Sequence, residues 1–160
     1  MKKLISVLMS LLLLFCLVSC GEPAEEEFSK DGLTITLTDS FRETHYENYT
    51  ACYESSSAAV FAIKEGFDLL DGLEDYTLEQ YAELVKTANS SKMPSEITKV
   101  DELTTFEYSF YNTDEDATFK YFTVVYKGVD AFWTIQFCCD QEDYEILKSE
   151  FIKYAKSVNV

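Results

Sequence analysis

The chain has 160 residues, with 13 Lys and Arg against 29 Asp and Glu, a formal net charge of −16. That length suits one ordinary domain, which buries about two thirds of its unfolded surface. The acidic excess repels phosphate backbones, so nucleic acid is excluded as an expected partner.

Lys2 and Lys3 precede an apolar run from Leu4 to Val18. A membrane-spanning helix needs about 20 apolar residues, so this shorter run fits the core of a secretory signal. It ends in Leu17-Val18-Ser19-Cys20-Gly21, which resembles the lipobox of bacterial lipoproteins. The resemblance implies that the Cys20 thiol carries a fatty acyl chain such as palmitate and becomes the first mature residue. A plain signal peptide with a chance cysteine, or an N-terminal membrane anchor that is never cut, is the alternative. Cleavage there removes Lys2, Lys3 and Cys16 and takes the net charge to −18. The expected organisation is a signal peptide over 1–19, a flexible acidic spacer over 20–30 and one globular domain over 31–160. The expected location is the extracytoplasmic side of a bacterial cell membrane. Acyl chains would hold the protein there, since an acidic domain is repelled by an anionic bilayer face.

Gly21 to Lys30 holds Pro23 and the triplet Glu25-Glu26-Glu27 with little to bury, the composition of a tether. Asp31-Gly32 is a turn signal, and Leu33 to Thr38 alternates strictly, predicting a half-buried strand with Leu33, Ile35 and Leu37 inward. Tyr49, Ala51 and Tyr53 alternate before the turn Glu54-Ser55-Ser56-Ser57, and Ala58 to Ile63 is apolar. A hairpin is the expectation, its second strand covered on both faces. Glu65 to Tyr76 carries Phe67, Leu69, Leu70 and Leu73, but Gly66 and Gly72 make it irregular. Thr77-Leu78-Glu79-Gln80 is a capping box, and Leu78, Tyr81, Ala82, Val85 and Ala88 give the helix after it one apolar face. Asn89-Ser90-Ser91 and Pro94 end it.

The second half reads as a meander. Glu96 to Val100, Thr104 to Tyr111, Thr118 to Tyr126 and Ala131 to Cys139 are strand-like, the last two joined by Lys127-Gly128-Val129-Asp130. Their aromatic and β-branched residues fall on both faces, so a layer is expected on each side. Asp140 is placed to cap a closing helix with Tyr144, Leu147, Phe151, Ala155 and Val158 on its inner stripe. Trp133 reads as core. The fold class is therefore α+β, a largely antiparallel sheet flanked by helices on both faces.

Three stretches carry a family resemblance: Gly32-Leu33-Thr34-Ile35-Thr36-Leu37, Leu78-Glu79-Gln80-Tyr81-Ala82-Glu83-Leu84-Val85, and Tyr126 to Phe137 followed by Phe151 to Val158. Together they resemble a PsbP-like domain, the α/β/α sandwich of the photosystem II extrinsic protein and of a Ran-binding import factor. Small lipoproteins of Firmicutes carrying such a domain are the nearest likeness, over residues 31–160. The usual proline after the first strand is replaced by Thr38-Asp39-Ser40. The family implies partner binding, and no site motif of it maps onto this chain.

Candidate chemistry is sparse. Cys52, Cys138 and Cys139 remain after the anchor, and Cys52 could pair with either of the others or all three could stay reduced. His45 is the sole histidine, in a polar stretch that reads as surface loop. Zinc from these four residues is disfavoured, because adjacent strand residues point to opposite faces. Asp68, Asp71, Glu74 and Asp75, and Asp114, Glu115 and Asp116, form acidic segments that would suit calcium but lack the spacing of an EF-hand loop. Tyr46, Tyr49, Tyr53, Tyr108, Tyr111, Tyr121 and Tyr126 lie in or beside the strands, either as core and rim or as a platform for sugar or peptide. The expectation is a non-catalytic envelope binding or accessory module, without cofactor or metal. Its partner would be a protein or small ligand. The alternatives are an acidic calcium-binding surface protein and a carboxylate-dependent envelope hydrolase.

Overall fold

A computed structural model describes residues 23–69 and 71–160; the signal segment and Cys20 lie outside them. The elements are β1 (Glu25–Lys30), β2 (Leu33–Thr38), β3 (Arg42–Thr44), β4 (Ala51–Glu54), β5 (Ala59–Gly66), α1 (Leu78–Ala88), β6 (Thr98–Val100), β7 (Leu103–Asn112), β8 (Ala117–Lys127), β9 (Ala131–Asp140) and α2 (Tyr144–Lys156). Seven strands form one antiparallel sheet in the order β3-β4-β5-β9-β8-β7-β6, and β1 and β2 form a separate hairpin. The domain is thus α+β and mostly antiparallel, as its alternating strands require.

The central strand β9 is buried from Ala131 to Cys139, so both sheet faces must be covered. Two clusters divide its side chains by parity. Trp133, Ile135, Phe137 and Cys139 join Val60, Ala62, Phe122 and Val124 in the larger one, which takes in Leu33, Ile35 and Leu37 of β2 and Phe151, Tyr154 and Ala155 of α2. Phe132 joins Val125, Leu73, Tyr81 and Ala82 of α1 in the smaller one. Successive strand residues face opposite ways, so the two clusters use opposite faces of the same strands.

Local signals set the helices. Thr77 Oγ1 accepts from the Gln80 amide at 3.2 Å while Gln80 Oε1 accepts from the Thr77 amide at 2.8 Å, the reciprocal box that starts α1. The cap of α2 lies three residues later than expected. Asp140 ends β9, its carbonyl accepting from the Asp143 amide at 3.1 Å, and Asp143 holds the cap position without a side-chain bond. Phe67–Leu69 and Leu73–Asp75 are isolated 3₁₀ turns, as the glycines around them led one to expect.

The expected spacer is corrected. Glu25–Lys30 pairs with β2 along its whole length, from Glu25 opposite Thr38 to Lys30 opposite Leu33. Asp31 and Gly32, at φ 50° and 101°, form the tight hairpin loop that two left-handed residues allow. The acidic triplet hides this because β1 buries little of itself; it serves mainly as hydrogen-bonding partner to β2. Phe28 is the exception, its ring 4.9 Å from that of Tyr53.

The hairpin also has a direction. Gly32 lies beside the ring of Trp133, near the start of β9: a Cβ at this position would stand 3.8 Å from it. Phe41, just past β2, meets Tyr154, which in turn meets Phe137 near the end of β9. β2 therefore runs alongside β9, and β1 starts at the end of the sheet where β9 finishes.

Of the two readings left open for the cysteines, the structure has the reduced one: Cys52, Cys138 and Cys139 are free and buried. Cys52 stands opposite Phe61, and Phe61 opposite Gln136, so Cys52 and Cys138 share a face but lie two strands apart. That separation is roughly 9–10 Å, beyond the Cα span of about 4.4–6.8 Å that a disulfide bridges. Cys139 points to the other face.

Candidate functional site

α1 covers only part of its face. Tyr81 stacks on Phe132 at 4.3 Å, and its hydroxyl meets Thr134 Oγ1 at 3.0 Å and the carboxylate of Glu65. Further along β9 this face turns aromatic. Register sets Ala59, Cys138, Tyr121 and Tyr108 in one row across four strands, with Phe61 and Gln136 in the row before it. Phe119 and Phe110 follow beside Asp140. Tyr108 stacks on Tyr121 at 4.6 Å and receives a hydrogen bond from Gln136 Nε2 at 3.0 Å.

Three loops raise walls around this floor. The segment before β4 brings Tyr49 to 4.9 Å and Tyr46 to 6.0 Å from the Phe61 ring. The Tyr46 hydroxyl donates to Glu54 Oε1 at 2.7 Å. The β4–β5 turn closes on itself through Ser55, whose amide and Oγ both bond the Ala58 carbonyl. The β7–β8 turn supplies Glu115. Together they bound a cleft of about 550 Å³ with Cys138 in its floor, lined also by Asp140 and Asp143.

Burial raises the Cys138 thiol to about 12, although the Tyr121 hydroxyl bond pulls the other way. The thiol therefore stays protonated, a poor nucleophile. The bond to Glu54 raises the Tyr46 hydroxyl and burial raises that of Tyr49, so both remain neutral donors. The cleft offers ring faces, hydroxyls and a carboxylate rim.

Sequence-predicted residues scatter around this site. Tyr46, Tyr49 and Tyr121 line the cleft and Tyr108 lies beneath Lys92, whereas Tyr53 and Tyr126 pack into the larger core. Tyr111 is exposed and bonds Asp116. His45 is an exposed loop residue. Asp68, Asp71, Glu74 and Asp75 are exposed in the 3₁₀ segment. Among the described residues no three His, Cys, Asp or Glu side chains gather as metal ligands. Phe61, Phe110, Phe119, Glu54 and Asp140 were missed; their periodicity showed only strand faces, and sheet order alone brings them together.

No protein-family model matches the chain, and no curated protein does. Among solved structures it is similar to the solution structure of cyanobacterial PsbP (CyanoP) from Synechocystis sp. PCC 6803. The match covers 91% of this chain and 99% of that one, with a TM-score of 0.56 and 13% identity. At that identity the likeness is one of architecture: the domain has a PsbP-like fold.

Proposed function

We propose that the protein is a lipid-anchored, extracytoplasmic binding module of the bacterial envelope, with α1 and α2 as the outer layers of an α/β/α sandwich. The observation carrying the reading is the aromatic cleft at the end of the sheet that α1 leaves open. Sites for small ligands are concave, largely apolar and sparsely polar, and this one has that character. The anchor rests on Leu17-Val18-Ser19-Cys20; the capacity to bind rests on the cleft. The fold shared with CyanoP leaves the function to be argued from the site.

Two measurements test this. Cells fed labelled palmitate should incorporate it into the wild-type chain and not into Cys20→Ala, which should stay unprocessed or leave the membrane. Equal labelling would remove the anchor from the proposal. For binding, a photo-crosslinking residue at Ser57, on the cleft wall, should trap envelope material in living cells that one placed at Ser149, on the exposed face of α2, does not. The same products from both positions would speak against a binding cleft.

A further inference from the structure

Resting on that reading, we infer that the cleft takes a small organic cation, a quaternary or primary ammonium on a short apolar body. Every acidic or basic side chain lining it among the described residues, its tyrosines and cysteines aside, is a carboxylate: Glu54, Glu115, Asp140 and Asp143. Between them lie the rings of Tyr46, Tyr49 and Phe61, whose centroids fall within 6.0 Å of one another in two pairs sharing Phe61. Aromatic faces attract cations through the ring quadrupole, most strongly where water is partly excluded, and clustered rings are a recurrent receptor for ammonium groups. The rim carboxylates supply the long-range field, and the rings supply the contact. An anionic ligand would meet the repulsion of these four carboxylates. An uncharged apolar one would leave the carboxylates partly desolvated without a partner.

The same floor already receives a cation from within the chain. Lys92 Nζ sits 4.8 Å from the centroid of Tyr108 and 5.6 Å from that of Phe110. Its hydrogen bond goes to Asn89 Oδ1 at 3.0 Å, with no carboxylate bridged to it among the described ion pairs. Phe110 lines the cleft, and Tyr108 stacks on the cleft residue Tyr121. An ammonium held chiefly by rings, at the edge of the cleft, is independent of the acidic rim and points to the same ligand chemistry.

The test compares choline with its uncharged isostere, 3,3-dimethylbutan-1-ol. Each is titrated into the full chain in an uncharged maltoside detergent, with backbone amide shifts as the readout. Choline should move the amides of Tyr49, Phe61 and Tyr121 with millimolar affinity, and the isostere should bind about tenfold more weakly. Phe61→Leu should weaken choline about fivefold. Glu54→Gln, which keeps a side-chain oxygen to accept the Tyr46 hydroxyl, should weaken it about twofold to fivefold and flatten the salt dependence. Equal affinity for the isostere would overturn the cation inference while leaving a binding cleft in place. Shifts confined to residues outside the cleft, or no shifts at all, would overturn it as well, and the crosslinking result judges the binding module separately.

Discussion

Trp133 illustrates what a single residue does here. It is 1% exposed, lies against Gly32 of the β1–β2 loop and carries Lys64 Nζ 5.6 Å above its ring, so it joins the hairpin to the main sheet. Trp133→Ala should cost about 3–5 kcal/mol. Urea unfolding followed by circular dichroism would read it, since the variant loses the chain's only tryptophan. The cysteines make a second case at this scale. Burial raises Cys138 to about 12 and Cys139 to about 11, and it raises Cys52 as well. Iodoacetamide at pH 8 should leave these three positions almost unlabelled in the native protein and modify all three once urea unfolds it. Rapid native labelling would mean these thiols reach solvent in the folded chain.

Between elements, the contact with a measurable pH signature is Glu107 of β7, which Lys148 of α2 approaches at 2.7 Å and Lys120 of β8 at 3.3 Å. Burial alone would raise this carboxyl, but the hydrogen bond and charge of Lys148, with help from Lys120, leave it below its ordinary 4.5. A carboxyl depressed on folding stabilises above its unfolded value and loses that contribution as pH falls through the folded one. The melting-temperature gap between wild type and Glu107→Gln should therefore hold steady above about pH 5 and narrow as pH falls below about 4.5. A gap that persists at pH 3 would show the contact to be packing rather than charge. Phe28→Ala, removing the one apolar grip of β1, should cost about 1–2 kcal/mol in thermal unfolding and quicken amide exchange in β2.

Elements with strong periodicity were legible in the sequence. The strands expected over Thr118–Tyr126 and Ala131–Cys139 are β8 and β9 within a residue at each end, and the Thr77 box starts α1. β1 was not legible, because its partner, and not its own side chains, makes it a strand. The cleft was hidden for a related reason. Tyr49, Phe61, Tyr121 and Cys138 are neighbours only because β5 pairs with β9 and β9 with β8, a non-local fact that no window of sequence carries. The tyrosines signalled aromatic faces, and register decided which of them share one.

At the scale of the molecule, electrostatics opposes compaction: 29 acidic side chains face 13 basic ones in the full chain. Like-charge repulsion destabilises a folded state and added salt screens it, whereas the surface ion pairs, such as Lys30–Glu43 and Lys156–Asp101, are worth little. The melting temperature should rise between low and about half-molar sodium chloride. A fall would mean that the ion pairs outweigh the net repulsion.

The pairing of β1 with β2 reaches beyond the hairpin. On the proposed anchor, only residues 21–24 separate the acylated cysteine from Glu25, a leash of about 17 Å at full stretch. That leash joins the domain at the end where β9 finishes, the same end as the aromatic cleft on the opposite face. The opening would then hover within a few water layers of the lipid headgroups. Whatever enters it would be collected from that thin film, not from the bulk medium beyond.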